Sequence, residues 1–199
     1  HDLEIRGAGE LLGKGQSGHI QSIGFNLYSE LLEKAVKAIR KGESVDSIMT
    51  SNDDVEVKLN IPALIPEEYL PDVHMRLTIY KRIANAVSDN ELHELQVEMI
   101  DRFGLIEGYL KNLFLVTSLK LHARSIGIIK LETGSDEGRL IFGPNTLVEP
   151  LTIVNLVQNQ PDVYRLMGSN SLKFKQKMET TEQRIQQAGD LLRLLTPKK

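Results

Sequence analysis

Val55, Val57, Leu59 and Ile61 alternate with Glu56, Lys58 and Asn60, which predicts a strand with one buried face, and Pro62, Pro66 and Pro71 punctuate the stretch that follows. The period then lengthens. Val73, Leu77, Tyr80, Ile83, Ala84 and Val87 recur at helical spacing from Asp72 onward. A new start at Ser88, with Glu91 at capping-box spacing, opens a second helix that Gly104 ends. A third helix is predicted from Gly108 to Ile126. Residues 127–132 and 139–142 read as a hairpin around the loop from Gly134 to Gly138, and Pro150 opens a short helix. A short strand is predicted near Val163 to Leu166, and one terminal helix from about Lys175 to Leu195, before Pro197. Nearer the start, Phe25, Tyr28, Leu31, Leu32, Ala35, Val36 and Ile39 mark an amphipathic helix that stops at Gly42, with residues 42–53 as a polar linker.

Helices and strands interleave irregularly and nothing repeats, so the class is α+β. The expectation is a helix-rich domain over residues 52–199 with a small, mostly antiparallel sheet. Residues 1–51 form a separate glycine-rich loop, arm helix and linker.

Charge changes this picture in two places. Residues 52–108 hold 12 acidic and 5 basic side chains, whereas residues 171–199 hold 3 acidic and 7 basic, although the whole chain carries only −3. On the second predicted helix, Glu91, Glu94, Glu98 and Asp101 fall at steps of three, four and three, which places four carboxylates on one face opposite Leu92, Leu95, Met99 and Phe103. A solvated face and an interaction surface both fit that stripe.

Familiar reaction chemistry is missing. There is no cysteine, hence no disulfide or thiolate metal site, and no apolar run approaches the ~20 residues needed to span a bilayer. His74, His93 and His122 lie on separate predicted helices without an i,i+4 partner, so packed or solvated rings outweigh a metal site. A Walker loop would need a glycine where Ala8 stands and a hydroxyl where Gly15 stands. No Gly-x-Ser-x-Gly elbow occurs. The expectation is a chain without catalytic residues, metal or cofactor of its own.

Five of the fifteen glycines fall between Gly7 and Gly18, in DLEIRGAGELLGKGQSG (Asp2 to Gly18). Such density means a backbone that bends through positive φ or lies close against another surface. By itself, Arg6 beside Gly7 and Gly9 is explained by a salt bridge to Glu4 or Glu10. The segment resembles the translocation motif that follows the last helicase motif in the bacterial transcription-repair coupling factor family (Mfd) and, more loosely, in the translocase RecG. PDVHMRLTIYKRIANAV (Pro71 to Val87) and NELHELQVEMIDRFG (Asn90 to Gly104) resemble the C-terminal domain of the coupling factor, a region RecG lacks.

The resemblance implies a C-terminal piece of a longer, cytoplasmic, ATP-dependent double-stranded DNA translocase that displaces stalled RNA polymerase and recruits nucleotide excision repair. ATP and magnesium would belong to the motor of that longer protein. Arg6, Gly7, Gly9, Glu10, Gly13, Gln16 and Gly18 would couple lobe movement to DNA, and Lys14 and Gly15 depart from the family pattern. Glu98 and Asp101, with Glu91 and Glu94 beside them, would contact the UvrB-like N-terminal module of the same protein and hide the surface that recruits UvrA. An alternative reading is an autonomous nucleic-acid-binding module built on a basic terminal helix carrying Lys173, Lys175, Lys177 and Arg184. Against it stand the net negative charge and the scarcity of aromatic residues for stacking.

Overall fold

The computed structural model describes residues 55–199. The glycine-rich loop, the arm helix and the linker, with all seven translocation-motif residues, lie outside the described residues. What is described falls into two compact units, residues 61–114 and residues 55–60 together with 115–199.

The first unit contains helices α1 (Val73–Asn85) and α2 (Asp89–Phe103) and the opening turns of α3 (Gly108–Ser125). Asp72 caps α1 by accepting the Met75 N–H at 2.7 Å, as an N-terminal aspartate should. Ile79, Ile83, Met99, Leu110 and Leu113 are its most deeply buried side chains. The proline-punctuated segment 61–71 is held by polar contacts. The Ile65 N–H donates to the Tyr80 hydroxyl at 2.7 Å, and Asn112 Nδ2 donates to the Pro62 carbonyl at 2.9 Å. A buried main-chain donor without a partner costs ~1–3 kcal/mol, so Tyr80 is in the core for its oxygen as well as its ring.

The second unit is built on a five-stranded sheet of β1 (Glu56–Lys58), β2 (Ile128–Thr133), β3 (Glu137–Phe142), β4 (Tyr164–Met167) and β5 (Ser171–Lys175), in the order β1-β2-β3-β5-β4. Only β1–β2 is parallel; the other pairs are antiparallel. The anticipated alternation at Val55, Val57, Leu59 and Ile61 is present, and all four side chains are buried. Helices α4 (Pro150–Asn159) and α5 (Thr181–Leu195) complete the unit, with Pro150 at the first turn of α4 and a Thr180–Gln183 capping box on α5. The α+β class holds.

Two sequence expectations are corrected. The terminal helix begins at Thr181 rather than near Lys175, and Ser171–Lys175 is a strand. Leu172 and Phe174 alternate with Lys173 and Lys175 at period two, and the turn Gly168-Ser169-Asn170, with Gly168 at φ 68°, closes a hairpin with β4. The loop of the β2–β3 hairpin is also shorter than expected, because β3 begins at Glu137.

These corrections take three of the four cations named for the alternative reading off the terminal helix. Lys173 and Lys175 are on β5 and Lys177 is in the connection after it. Arg184 is on α5, but its guanidinium donates to the main-chain oxygens of Met178 (2.9 Å), Asn60 (2.7 Å) and Leu59 (3.3 Å). Asn60 has φ 55°, the left-handed region an asparagine tolerates, and its Nδ2 donates to Thr133 O at 2.6 Å. Arg184 is therefore a clip on the end of β1.

Candidate functional site

The acidic stripe is a face of α2. Ser88 caps that helix by accepting the Glu91 N–H at 3.2 Å, and the Glu91 carboxylate accepts the Val87 N–H at 3.0 Å, one residue earlier than a standard capping box. Gly104, at φ 102°, ends the helix and donates its N–H to Ile100 O. Leu92, Leu95 and Met99 are 4%, 4% and 0% exposed, which turns the carboxylates outward. Glu91, Glu94 and Asp101 are exposed and Glu98 is half-buried.

The four carboxylates do not share one state. Glu91 is committed to the main chain, and Glu94 accepts from Asn90 Nδ2 at 3.2 Å. Glu98 accepts a bidentate pair from Arg82 on α1, at 2.9 and 2.6 Å, and a further bond from Arg102 at 3.2 Å. Among the described residues Asp101 makes no ion pair. Only Glu98 is compensated by cations; Glu91 and Glu94 accept from neutral donors and Asp101 makes no ion pair, so negative charge stays at these three, Asp101 having exposed Val97 and Ile100 nearby on the same helix. A groove of about 560 Å³ runs between α1 and α2, with Lys81 and Arg82 on one wall and Glu91, Glu94 and Glu98 on the other.

The Arg82 hydrogen bonds hold the Glu98 carboxyl below its ordinary range, helped by Arg102, and the same contact raises Arg82. Because the folded value of Glu98 is depressed, the pair contributes stability above the unfolded carboxylate pKa and loses it as pH falls through the lowered value. Both side chains are more than a third exposed, so that contribution is within ~0–1 kcal/mol.

Sequence spacing placed the four carboxylates on one helical face. It did not reveal Arg82, sixteen residues from Glu98, because only the packing of α1 on α2 brings the two together. Nor did it reveal that Arg76 is 3% exposed, with an Nε that has no hydrogen-bond partner among the described residues.

The fold is an α+β domain that presents a charged helix face. Among the described residues, no group of three metal-ligating side chains converges and no helix is long and apolar enough to cross a membrane. The TRCF domain family matches residues 59–153. The chain is 45% identical over 195 residues to the transcription-repair-coupling factor of Haemophilus influenzae and 44% identical over 195 residues to that of Escherichia coli, in each case 98% of this chain and 17% of the relative. The Bacillus subtilis transcription-repair-coupling factor is 38% identical over 148 residues, 74% of this chain and 12% of the relative. A crystal structure of the C-terminal domain of transcription-repair coupling factor superposes with a TM-score of 0.58 at 20% identity, covering 71% of this chain and 94% of that one, a likeness of fold. The chain belongs to the transcription-repair-coupling factor family, and spans about a sixth of the length of the first relatives it matches.

Proposed function

We propose that this chain is a regulatory part of a coupling factor, the ATP-dependent double-stranded DNA translocase that removes stalled RNA polymerase and brings in excision repair through UvrA. In this reading residues 52–199 do no chemistry. They restrain the UvrB-like N-terminal module of the same protein through the outward face of α2. The observation that carries the reading is the uncompensated charge of that face: Glu91, Glu94 and Asp101 are exposed carboxylates with no ion pair among the described residues, and Asp101 lies beside exposed Val97 and Ile100. Glu98 has the second place, because Arg82 and Arg102 already share its charge.

Mixing this chain with the separately purified N-terminal module is the direct test. A complex that weakens as salt rises is expected, since exposed charges are screened over about 10 Å at 0.1 M. Failure to associate at any ionic strength would reject the restraint. For the nucleic-acid-binding alternative, only Arg184 of its four named cations is on α5. For the translocation motif, we propose that Arg6 exchanges a bidentate partner as the motor moves, a role suited to a planar, always-charged group. In the full-length protein Arg6→Ala is expected to leave ATP hydrolysis near the parent rate while stopping polymerase displacement; undiminished displacement would make Arg6 merely structural.

A further inference from the structure

Two rows of side chains cross the sheet of the second unit, one on each face, and both reach the edge at β4. On the inner face the cross-strand partners run Val57, Leu131, Leu140, Leu172, Leu166. The first four are at most 1% exposed, whereas Leu166 is 42% exposed. The hydrophobic row therefore continues one strand beyond its cover. On the outer face the adjacent row runs Lys58, Glu132, Arg139, Lys173, Arg165.

The first part of that outer row alternates in sign. The last three members are all cations placed directly opposite one another on adjacent strands, an arrangement that destabilises a sheet. Glu132 relieves Arg139 at 3.4 Å, and Glu137 relieves Lys173 at 2.8 Å. Arg165, at the edge, has no ion pair among the described residues.

The main chain at this edge is also open. Lys175 N–H donates to Val163 O at 2.8 Å, which fixes the alternation of the β4–β5 ladder. Arg165 and Lys173 then form the next hydrogen-bonded pair, and the N–H and C=O of Leu166 point away from β5. Among the described residues no strand lies beyond β4. Tyr164 N–H is already taken by Gln160 O at 2.9 Å, so the free main-chain groups centre on Leu166.

We propose that β4 accepts a sixth strand from a partner polypeptide: an extended segment that alternates acidic and apolar side chains. Its main chain would pair with Leu166, an apolar residue would extend the Leu172–Leu166 row, and a carboxylate would lie opposite Arg165. Main-chain pairing supplies affinity in such strand addition and the alternating side chains supply selectivity. Charge complementarity decides the occupant. An added strand with a cation opposite Arg165 would lengthen a run of three like charges, whereas a carboxylate there ends it.

The probe is an end-blocked peptide of alternating glutamate and valine, about six residues long, the usual length of a strand. A lysine–valine peptide of the same length is the control. Titrated into the full chain, the glutamate peptide is expected to bind saturably, to protect the Leu166 amide from hydrogen exchange, and to leave the lysine peptide at least about tenfold weaker. Arg165→Glu should reverse that preference. Leu166→Pro removes the outward N–H and the Leu166 side chain at an edge position where proline is tolerated, and should abolish binding while circular dichroism stays that of the parent. Undiminished peptide binding by folded Leu166→Pro overturns the proposal, because the acid would then be held by the cationic face alone. Equal binding of both peptides, stronger binding of a short DNA duplex, or dimerisation of the chain through this edge in place of peptide binding also overturns it.

Discussion

Full-length protein carrying Glu98→Lys and Asp101→Lys is expected to bind UvrA, in the absence of DNA and polymerase, more tightly than the parent protein. The two positions should behave differently when separated. Asp101 makes no ion pair among the described residues and is exposed, so Asp101→Lys removes nothing from the fold and its whole effect falls on whatever faces α2. Truncating one partner of a desolvated, hydrogen-bonded charge pair at an interface costs about 2–5 kcal/mol, enough to open a contact between modules. Glu98→Lys breaks the bonds to Arg82 and Arg102 and sets a third cation between them, so it also lowers the stability of the isolated domain, by about 1 kcal/mol for exposed pairs. UvrA capture on beads together with melting of the isolated domain separates the effects. A normal melt with UvrA binding no higher than in the parent, for Asp101→Lys, would mean that the α2 face is solvated and restrains nothing.

The other large effect is on stability. Gly138 lies directly across from Phe174 in the β3–β5 ladder, and a Cβ built on it would meet that ring, with Cε2 at 2.6 Å and Cε1 at 2.7 Å. Phe174 is 2% exposed, so the ring has no room to retreat. The requirement is steric, since Gly138 is absent from the residues with positive φ. Gly138→Val is expected to cost about 3 kcal/mol, as overpacking of a filled site does. For a chain of this size that lowers the melting temperature by roughly 6–12 °C. Adding Phe174→Leu should recover part of the loss, because the two sites share one volume and their effects are not additive. A single variant that melts within about 2 °C of the parent would show that the sheet shifts at little cost.

The parts of the fold legible in the sequence were those governed by neighbours along the chain. Asp72, Ser88, Gly104 and Pro150 mark helix ends by local chemistry, and each stands at the end it predicted. The alternation from Val55 to Ile61 was equally visible. Strand β5 was missed because Met178, Ile185 and the leucines beyond continued an apolar series that reads as one long helix if the period-two step at Leu172 and Phe174 is passed over. At the candidate site the carboxylate face of α2 was legible, but its electrostatic state was not. Arg82 neutralises Glu98 across two helices, and no spacing rule reaches sixteen residues.

The parallel pairing of β1 with β2 has a consequence for how the chain is divided. Val57 lies opposite Leu131, so the sheet is completed by a strand that precedes the whole of residues 61–114 in the chain. Among the described residues, the first unit is in chain order an insertion within the second. A polypeptide cut after Asn60 keeps every described helix, yet it strips β1 from the sheet and takes from Arg184 two of its three carbonyl acceptors. The bare edge of β2 would then offer unpaired main-chain groups to other chains, the usual start of aggregation. The smallest autonomous unit is therefore set by a three-residue strand at its start, not by the helices that follow it.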